Sequence, residues 1–288
     1  MFATPLRLML GLCWLCIQLP LSATAHDSAY PDILQVVQYY YEGENLLDLD
    51  KLARAYHPQA RLTFLDPSGG SCRQLTFGAF LKALRGDGQK PAGRALRLQR
   101  YDRTGQVALV QTTISEAGDH RRLHDYLVLM EVEGEWRITS RTTRLERARF
   151  APREASAREV RRDGQQVRQT LEAYLRQRRR YQAGDWQSLF HPQAHIVAIH
   201  PRYARVQTLD RTDYLQAYAS EPEQRPRLAS QIEELYVEGD MALAKVTIHA
   251  PQLHGTVTDY VVMVREGNRW QILDKASYKD PQALLLPV

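Results

Sequence analysis

Apolar side chains recur at helical spacing near the start of each half of the chain. In the first half they fall at Ile33, Val37, Tyr40 and Tyr41, and in the second half at Val167, Leu171, Tyr174 and Leu175. An interval of three to four residues places such side chains along one side of an α-helix. The pattern therefore predicts, in each half, a helix that packs one stripe against a core.

A second, shorter helix is predicted in each half from a capping residue followed by another apolar stripe. Thr76 precedes "FGAFLKAL", and Asp210 precedes "RTDYLQAY". Hydroxyl and carboxylate side chains at such positions accept hydrogen bonds from the first free N–H groups of a helix. We therefore expect these two helices to begin directly after Thr76 and Asp210.

The remainder of each half is rich in β-branched and aromatic residues, which predicts strands. The first half contains "QVALVQTTI", "LHDYLVLMEV" and "EWRITSRTT", and the second contains "MALAKVTI", "VTDYVVMVRE" and "RWQILDKAS". The segments "EGE" and "EGN" supply a turn before each tryptophan. Helices followed by an antiparallel meander predict the α+β class, with N-terminal helices packed on one face of each sheet.

One strand of the first half is apolar on both faces. Leu127 and Leu129 alternate with Val128 and Met130, whereas a sheet that is covered on one face alternates apolar with polar residues. We therefore expect the second face to be buried as well. Its partner would be the other half of the same chain, by sheet-to-sheet pairing, or a second chain in a homodimer.

A single offset relates the two halves. "HPQARLTFLDP" begins at His57 and "HPQAHIVAIHP" at His191, and the same offset of 134 residues pairs Trp136 with Trp270 without a gap. So long a period is typical of tandem domains and not of a solenoid. We predict a first domain at residues 26–143, a charged linker at 144–166, a second domain at 167–280 and a C-terminal tail at 281–288.

The first 25 residues have the pattern of a secretory signal peptide. A single positive charge at Arg7 is followed by an apolar stretch that ends in the small residues "ATA". That stretch is interrupted by Pro20 and is shorter than the roughly 20 residues needed to span a bilayer. We expect cleavage before His26, a periplasmic or secreted location, and no membrane span in the mature chain.

Charge and cysteine content narrow the class of protein further. The formal net charge is +5, but basic and acidic residues alternate in "RLERARFAPREASAREVRRD", whereas nucleic-acid binding favours a one-signed patch with exposed aromatic residues. We therefore expect no nucleic-acid partner.

Cys72 is the only cysteine beyond residue 25, so no disulfide is expected within the mature chain. We interpret Cys72 as a partly buried cysteine and not as a reactive thiol.

Several motifs together are similar to a known family. The aromatic pair of the first helix, then "YHPQA" or "FHPQA", then "DYLVLMEVEGEWRI" or "DYVVMVREGNRWQILDK" resemble the putative lumazine-binding family of the nuclear transport factor 2-like superfamily, present twice. The second copy fits the C-terminal pattern through Lys275, where the first has Arg141. The resemblance implies two cone-like domains, each with a curved antiparallel sheet around a helix-lined pocket. It implies no single function, because one fold hosts many.

Polar residues that recur in both domains are the candidates for that pocket. Asp66 ends the repeated phrase where the second domain has His200. Both are candidate catalytic bases, but they ionise in different pH ranges and cannot be equivalent. The candidate ligand-binding residues are Tyr40, Asp125, Tyr126, Trp136, Tyr174, Asp259, Tyr260 and Trp270. The tryptophans and the tyrosines next to the aspartates also fit packing in a core.

The histidines do not predict a metal site. His57 and His191 each precede a proline, and we interpret each imidazole as closing a turn before a strand. In a strand, His195 and His200 point to opposite faces, so zinc coordination by both together with His191 is not expected. No metal and no cofactor is predicted.

Two functions stay open. The first is a non-catalytic protein that binds a small apolar or aromatic ligand or serves assembly. The second is an isomerase or dehydratase that uses general acid/base groups, with Asp66 as the base and Asp125 or Tyr126 as polar partners. The difference between Asp66 and His200, and the lack of a sharp catalytic motif in the sequence, favour the first.

Overall fold

The computed structural model describes residues 27–65, 72–87, 93–116, 121–147, 156–180, 186–200, 205–219, 228–250 and 255–280. The first domain contains α1 (Tyr30–Leu46), α2 (Leu49–Ala55), β1 (Tyr56–Leu65), β2 (Cys72–Thr76), α3 (Phe77–Asp87), β3 (Arg94–Thr104), β4 (Val107–Glu116), β5 (Arg121–Val132) and β6 (Glu135–Arg147). The second contains α4 (Ala157–Arg180), α5 (Trp186–Leu189), β7 (Phe190–His200), β8 (Arg205–Asp210), α6 (Arg211–Ala219), β9 (Ala229–Glu238), β10 (Met241–Ala250), β11 (Gly255–Glu266) and β12 (Arg269–Lys279).

The two domains have the same sheet topology. Within the described ranges each sheet has six strands, in the orders β2-β1-β6-β5-β4-β3 and β8-β7-β12-β11-β10-β9. The pairs β1–β6 and β7–β12 are parallel, and the other neighbours are antiparallel. Even the register repeats, because Leu127 lies opposite Arg141 and Val261 lies opposite Lys275. The predicted α+β class with two tandem domains is confirmed.

Local sequence signals explain where the helices begin. Thr76 Oγ1 accepts a hydrogen bond from the Ala79 N–H at 3.1 Å, and Asp210 Oδ1 accepts one from the Asp213 N–H at 2.9 Å. Each bond satisfies an N–H group that lacks a partner within its helix. The two predicted caps and the helices that follow them, α3 and α6, are therefore confirmed.

Each domain has its own apolar core between its helices and one face of its sheet. In the first domain this core includes Ile33, Val37 and Tyr40 of α1, as the helical periodicity predicts. In the second it includes Val167, Leu171 and Tyr174 of α4, which occupy the equivalent positions. We call the helix-covered side of each sheet the interior of that domain.

The opposite faces of the two sheets contribute to a third buried cluster. Its members alternate along the strands with the interior residues. They are Val107, Leu109, Tyr126, Val128 and Met130 of the first domain, and Val197, Ile199, Met241, Leu243, Tyr260, Val262 and Ala276 of the second. We call this cluster the junction. It accounts for the apolar character of both faces of β5.

Polar side chains also connect the two sheets at the junction. The Tyr260 hydroxyl donates to Asp102 Oδ2 and lies 3.1 Å from Thr104 Oγ1. Lys245 Nζ lies 2.7 Å from the same Asp102 carboxylate. These bonds satisfy polar groups that the surrounding apolar surface would otherwise leave without partners.

Cys72 lies where β2 approaches the second domain. Its thiol donates to Gln193 Oε1 at 3.0 Å, and its sulfur is 3.5 Å from His191 Nε2. Burial, together with the nearby charges of Glu266 and Asp274, raises the pKa of Cys72 to about 11. A thiol with so high a pKa is a poor nucleophile at neutral pH, in line with the interpretation of Cys72 as a partly buried structural residue.

Two elements of the structure extend into the segment 144–166, which the sequence predicts as a charged linker. Strand β6 continues to Arg147, and α4 already begins at Ala157. The sequence pattern missed this because α4 is rich in arginine and its apolar stripe is narrow. The predicted signal peptide at 1–25 and the tail at 281–288 lie outside the described residues. Among the helices that are described, none is long and apolar enough to cross a membrane.

The repeat offers a matched test of the junction hydrogen bonds. We expect Tyr260→Phe to lower the free energy of unfolding by about 1–3 kcal/mol, because it removes a donor to a partly buried carboxylate. Tyr126, its counterpart, has a buried hydroxyl that makes no hydrogen bond to any described residue, so Tyr126→Phe should be neutral or stabilising. Urea unfolding of both variants measures the difference, and equal losses would contradict this account of the junction.

Candidate functional site

The interior of the first domain contains a buried carboxylate in the middle of β5. Asp125 has no exposed surface. Its carboxylate accepts hydrogen bonds from the Tyr40 hydroxyl at 2.6 Å, from Thr143 Oγ1 at 2.5 Å and from Arg141 Nε at 3.0 Å. Helix α1 supplies Tyr40 and strand β6 supplies the other two donors, so this group connects the helix to the sheet.

A second acid completes this group. Glu44 of α1 forms an ion pair with Arg141 Nη1, and Arg94 Nη1 lies 4.0 Å from its other oxygen. Burial raises the pKa of Glu44, Arg141 opposes that effect, and Asp125 adds to it, so the pKa stays above its usual value. We call Tyr40, Glu44, Asp125, Arg141 and Thr143 the first interior cluster.

The second domain has an equivalent carboxylate in β11. Asp259 also has no exposed surface. It accepts hydrogen bonds from the Tyr174 hydroxyl at 2.8 Å, from Arg178 Nη1 at 2.9 Å and from Ser277 Oγ at 2.6 Å, and Lys275 Nζ lies 3.2 Å away. We call these five residues the second interior cluster.

Burial and charge act in opposite directions on the acid and the base of this cluster. Burial raises the pKa of Asp259, but the positive charges of Lys275 and Arg178 outweigh it, so the pKa lies below its usual value. Burial also lowers the pKa of Lys275 to about 8, because Asp259 only partly offsets the loss of water and Arg178 adds repulsion.

The two clusters share a framework but differ in charge. The tyrosine, the aspartate and a hydroxyl residue occupy equivalent positions in both domains. At the offset of 134 residues, however, Glu44 of the first domain becomes Arg178, and Arg141 becomes Lys275. The first cluster therefore has two carboxylates and one cation, and the second has one carboxylate and two cations.

Aromatic rings surround the second interior cluster. Trp186 stacks on Phe190 with ring centres 6.0 Å apart, and Phe190 lies 5.5 Å from Tyr214. The Lys275 ammonium is 5.3 Å from the centre of the Tyr214 ring, within the range of a cation–π interaction. The first domain differs at all three positions, where Leu52, Tyr56 and Phe80 stand in place of Trp186, Phe190 and Tyr214. The Tyr56 hydroxyl lies 3.5 Å from Arg141 Nη1.

The structure separates two pairs of residues that the sequence predicted to act together. Successive residues of a strand point to opposite faces. Asp125 and Asp259 therefore point into the interiors, whereas Tyr126 and Tyr260 lie in the junction. Neither tyrosine contributes to an interior cluster, so the structure does not bring the tyrosines together with the aspartates.

The other predicted site residues fall into three groups. Tyr40 and Tyr174 join the interior clusters. Trp136 and Trp270 are each 4% exposed and belong to the apolar cores. Asp66 lies outside the described residues, and so does the side chain of His200, the last residue of β7.

The repeated histidines close turns, as predicted. His57 Nδ1 accepts a hydrogen bond from the Gln59 N–H at 3.2 Å, and His191 Nδ1 accepts one from the Gln193 N–H at 3.1 Å. Across the described part of the chain, no group of three histidine, cysteine or acidic side chains has the geometry to hold a metal ion.

Sequence reasoning assigned no site role to Glu44, Arg141, Thr143, Arg178, Lys275 or Ser277. One signal could have identified part of this set. A cationic residue at the same position of both copies of a strand, as Arg141 and Lys275 are, indicates a buried polar group. Glu44 and Arg178 gave no such signal, because their charges are opposite.

The two clusters should respond differently to loss of a cation. We expect Arg141→Met to lower the free energy of unfolding by about 3–5 kcal/mol at neutral pH, because two buried carboxylates lose their shared partner. Lys275→Met should cost less than half as much, since Asp259 keeps Arg178. The decrease in the free energy of unfolding caused by Arg141→Met should become smaller as the pH falls, because Glu44 then becomes protonated. Equal losses for the two variants would contradict these assignments.

Lys275 should titrate far below an ordinary lysine. Because its folded pKa of about 8 lies below the model-peptide value of 10.5, the unfolded chain binds more protons between these pH values. The free energy of unfolding contributed by this group therefore rises with pH across that window. NMR of the lysine ε-CH₂ groups, with Lys275→Met for assignment, should show one resonance with a midpoint near 8. A midpoint near 10.5 would contradict the burial of a charged Lys275.

Several solved structures are similar to part of this chain. A nuclear transport factor 2-like protein of unknown function from Shewanella baltica is 20% identical, with a TM-score of 0.39, over 44% of this chain and 100% of its own. A similar protein from Silicibacter pomeroyi is 20% identical, with a TM-score of 0.36, over 41% of this chain and 95% of its own. A putative dehydratase from the nuclear transport factor 2-like family, from Streptomyces avermitilis, is 20% identical, with a TM-score of 0.34, over 41% of this chain and 95% of its own.

Comparison with curated proteins gives no match. The family described as putative lumazine-binding matches residues 28–143 and again residues 162–278. Together the two matches cover most of the chain, and each contains one sheet and the helices that precede it. The chain therefore belongs to the putative lumazine-binding family, and each of its two tandem domains matches that family.

Proposed function

We propose that this chain is an exported, non-catalytic protein that binds a small planar heteroaromatic ligand in the interior of its second domain. The observation that carries the proposal is the buried Lys275 ammonium among aromatic rings. The family description names lumazine, a planar bicycle with carbonyl oxygens and ring nitrogens. Such a ligand would stack on aromatic side chains and accept hydrogen bonds from a cation.

Lys275 has the capacity to bind such an acceptor. Among the described residues its ammonium contacts Ser277 Oγ at 2.5 Å and Asp259 Oδ1 at 3.2 Å. A lysine ammonium has three N–H donors, so one donor is left for a ligand. Because Lys275 and Asp259 have almost no exposed surface, binding would require the interior to open by a movement of the side chains above them.

The first domain would serve mainly as a structural partner in this proposal. Arg141 uses its guanidinium on Asp125 and Glu44, and it also lies over the ring of Tyr40, 4.8 Å from the ring centre. The ion pairs of Arg141 therefore close the interior of the first domain. We further propose that the two domains of one chain pair through the junction and act as a single unit, without a second chain.

The contacts of the two interior aspartates support a non-catalytic role. A general base needs a free lone pair and a pKa near the working pH. Asp259 instead faces four donors, and its pKa is lowered, while Asp125 accepts bonds from three donors. The pKa of Glu44 is raised by burial, but its carboxylate is paired with Arg141. The isomerase or dehydratase hypothesis would thus depend on Glu44 after its release from Arg141, on Asp66, or on another group outside the described residues.

Intact mass measurements test both the ligand and the export proposals. We expect the protein recovered from cells to have a higher native than denatured mass, by the mass of one small molecule, and a denatured mass that lacks residues 1–25. Ligand-free protein should bind lumazine, and Lys275→Met should weaken that binding at least tenfold, because it removes one charge-assisted hydrogen bond.

Lys82→Met is the matched control, because it removes an exposed lysine of the first domain. It should bind lumazine as the unaltered protein does. Two results would overturn the ligand proposal: equal native and denatured masses together with no binding of lumazine, or equal weakening in both variants. A denatured mass that includes residues 1–25 would overturn the export proposal alone.

A further inference from the structure

The solvent-facing side of α4 is strongly basic. An α-helix turns once every 3.6 residues, so residues three, four and seven apart share a side. The exposed arginines of this side are Arg158, Arg161, Arg162, Arg168 and Arg176. At 1.5 Å per residue they extend over about 27 Å. We call this set the α4 arginine face.

Two of the three acidic residues of α4 are turned away from that face, whereas Glu172 lies on it with its Oε2 4.0 Å from Arg176 Nη1. Asp163 is buried and forms an ion pair with Arg265 Nη1 at 2.9 Å. Glu159 accepts hydrogen bonds from the N–H and the hydroxyl of Ser156, both at 2.7 Å. It thereby completes a capping box at the start of α4. The alternation of charges in the sequence therefore becomes a largely one-signed surface in the folded protein.

A groove adjoins this face between α4 and β9. It has a volume of about 370 Å³, and its polar lining consists of Arg168, Glu172, Arg176, Ser230 and Gln231, with two cations and one carboxylate. The equivalent groove of the first domain, between α1 and β3, has a volume of about 260 Å³ and is lined mainly by apolar residues such as Leu34, Leu96 and Leu98. The basic groove is thus a property of the second domain and not of the fold.

We propose that the α4 arginine face docks the protein on the surface of an anionic phospholipid bilayer. Guanidinium groups bind phosphate oxygens in pairs of parallel hydrogen bonds. A straight row of such groups fits a plane of lipid phosphates, which adapt their spacing to the protein. Each basic residue close to such a surface strengthens binding about fivefold.

A nucleic acid is the competing polyanion. Single strands are bound largely by stacking of bases on aromatic side chains. Besides its arginines, this side of α4 exposes Gln165, Gln169 and Glu172, and none of the described residues on it is an exposed aromatic. The composition of the face therefore favours a phosphate surface over exposed bases.

Sedimentation with lipid vesicles tests this proposal. The protein, in the form recovered from cells, should bind vesicles that contain about 30% phosphatidylglycerol, and this binding should weaken strongly with added salt. It should not bind vesicles of phosphatidylcholine alone. Arg168→Gln combined with Arg176→Gln should lower the partition coefficient about 25-fold, because two basic contacts are lost.

Lys82→Gln combined with Arg85→Gln is the matched control. It removes the same charge from exposed positions of α3 in the first domain, and it should leave binding within about twofold of the unaltered protein. Glutamine keeps a helix propensity close to that of arginine, and circular dichroism verifies that both variants fold. An equal loss in the control, equal binding to neutral vesicles, or tighter binding to duplex or single-stranded DNA than to anionic vesicles would each overturn the proposal.

Discussion

The hydrogen bond between a tyrosine of the first helix and an aspartate in the middle of the sheet is the interaction on which each domain depends. Tyr40 donates to Asp125, and Tyr174 donates to Asp259. A buried carboxylate is strongly unfavourable unless charged and polar partners surround it. Each domain must therefore bring a cation and a hydroxyl to the same place, which fixes the position of α1 or α4 over its sheet.

A β-bulge makes this arrangement possible. In β6, Trp136 and Ile138 face the interior, and strict alternation would then turn Arg141 outwards. The register between β5 and β6 shifts between Val128 and Leu129, so Arg141 and Thr143 face the interior instead. The same shift between Val262 and Met263 turns Lys275 inwards in the second domain. A bulge re-aims side chains in this way by adding one unpaired residue to a strand.

These features explain which parts of the molecule could be predicted from the sequence. Helical periodicity, caps at Thr76 and Asp210, and a constant offset are local or repeated signals, and they were sufficient for α1, α3, α4 and α6, for the central strands and for the tandem repeat. The short helices α2 and α5 were not predicted. The bulge has no such signal, so the partners of Asp125 could not be identified by counting along β6. The neighbours Asp125 and Tyr126 were predicted to act together because adjacency in sequence was taken for adjacency in space.

The same alternation allows the two domains to diverge without loss of the fold. Residues on the junction face of each strand hold the sheets against each other, and residues on the interior face set the charge of each cluster. A change such as that from Glu44 to Arg178 therefore alters one interior while the junction keeps its apolar contacts. Since the tyrosine and the aspartate persist in both domains, the framework tolerates either sign of charge at the neighbouring helix position. The repeat thus preserves the physical requirement of a partnered buried carboxylate and varies the chemistry around it.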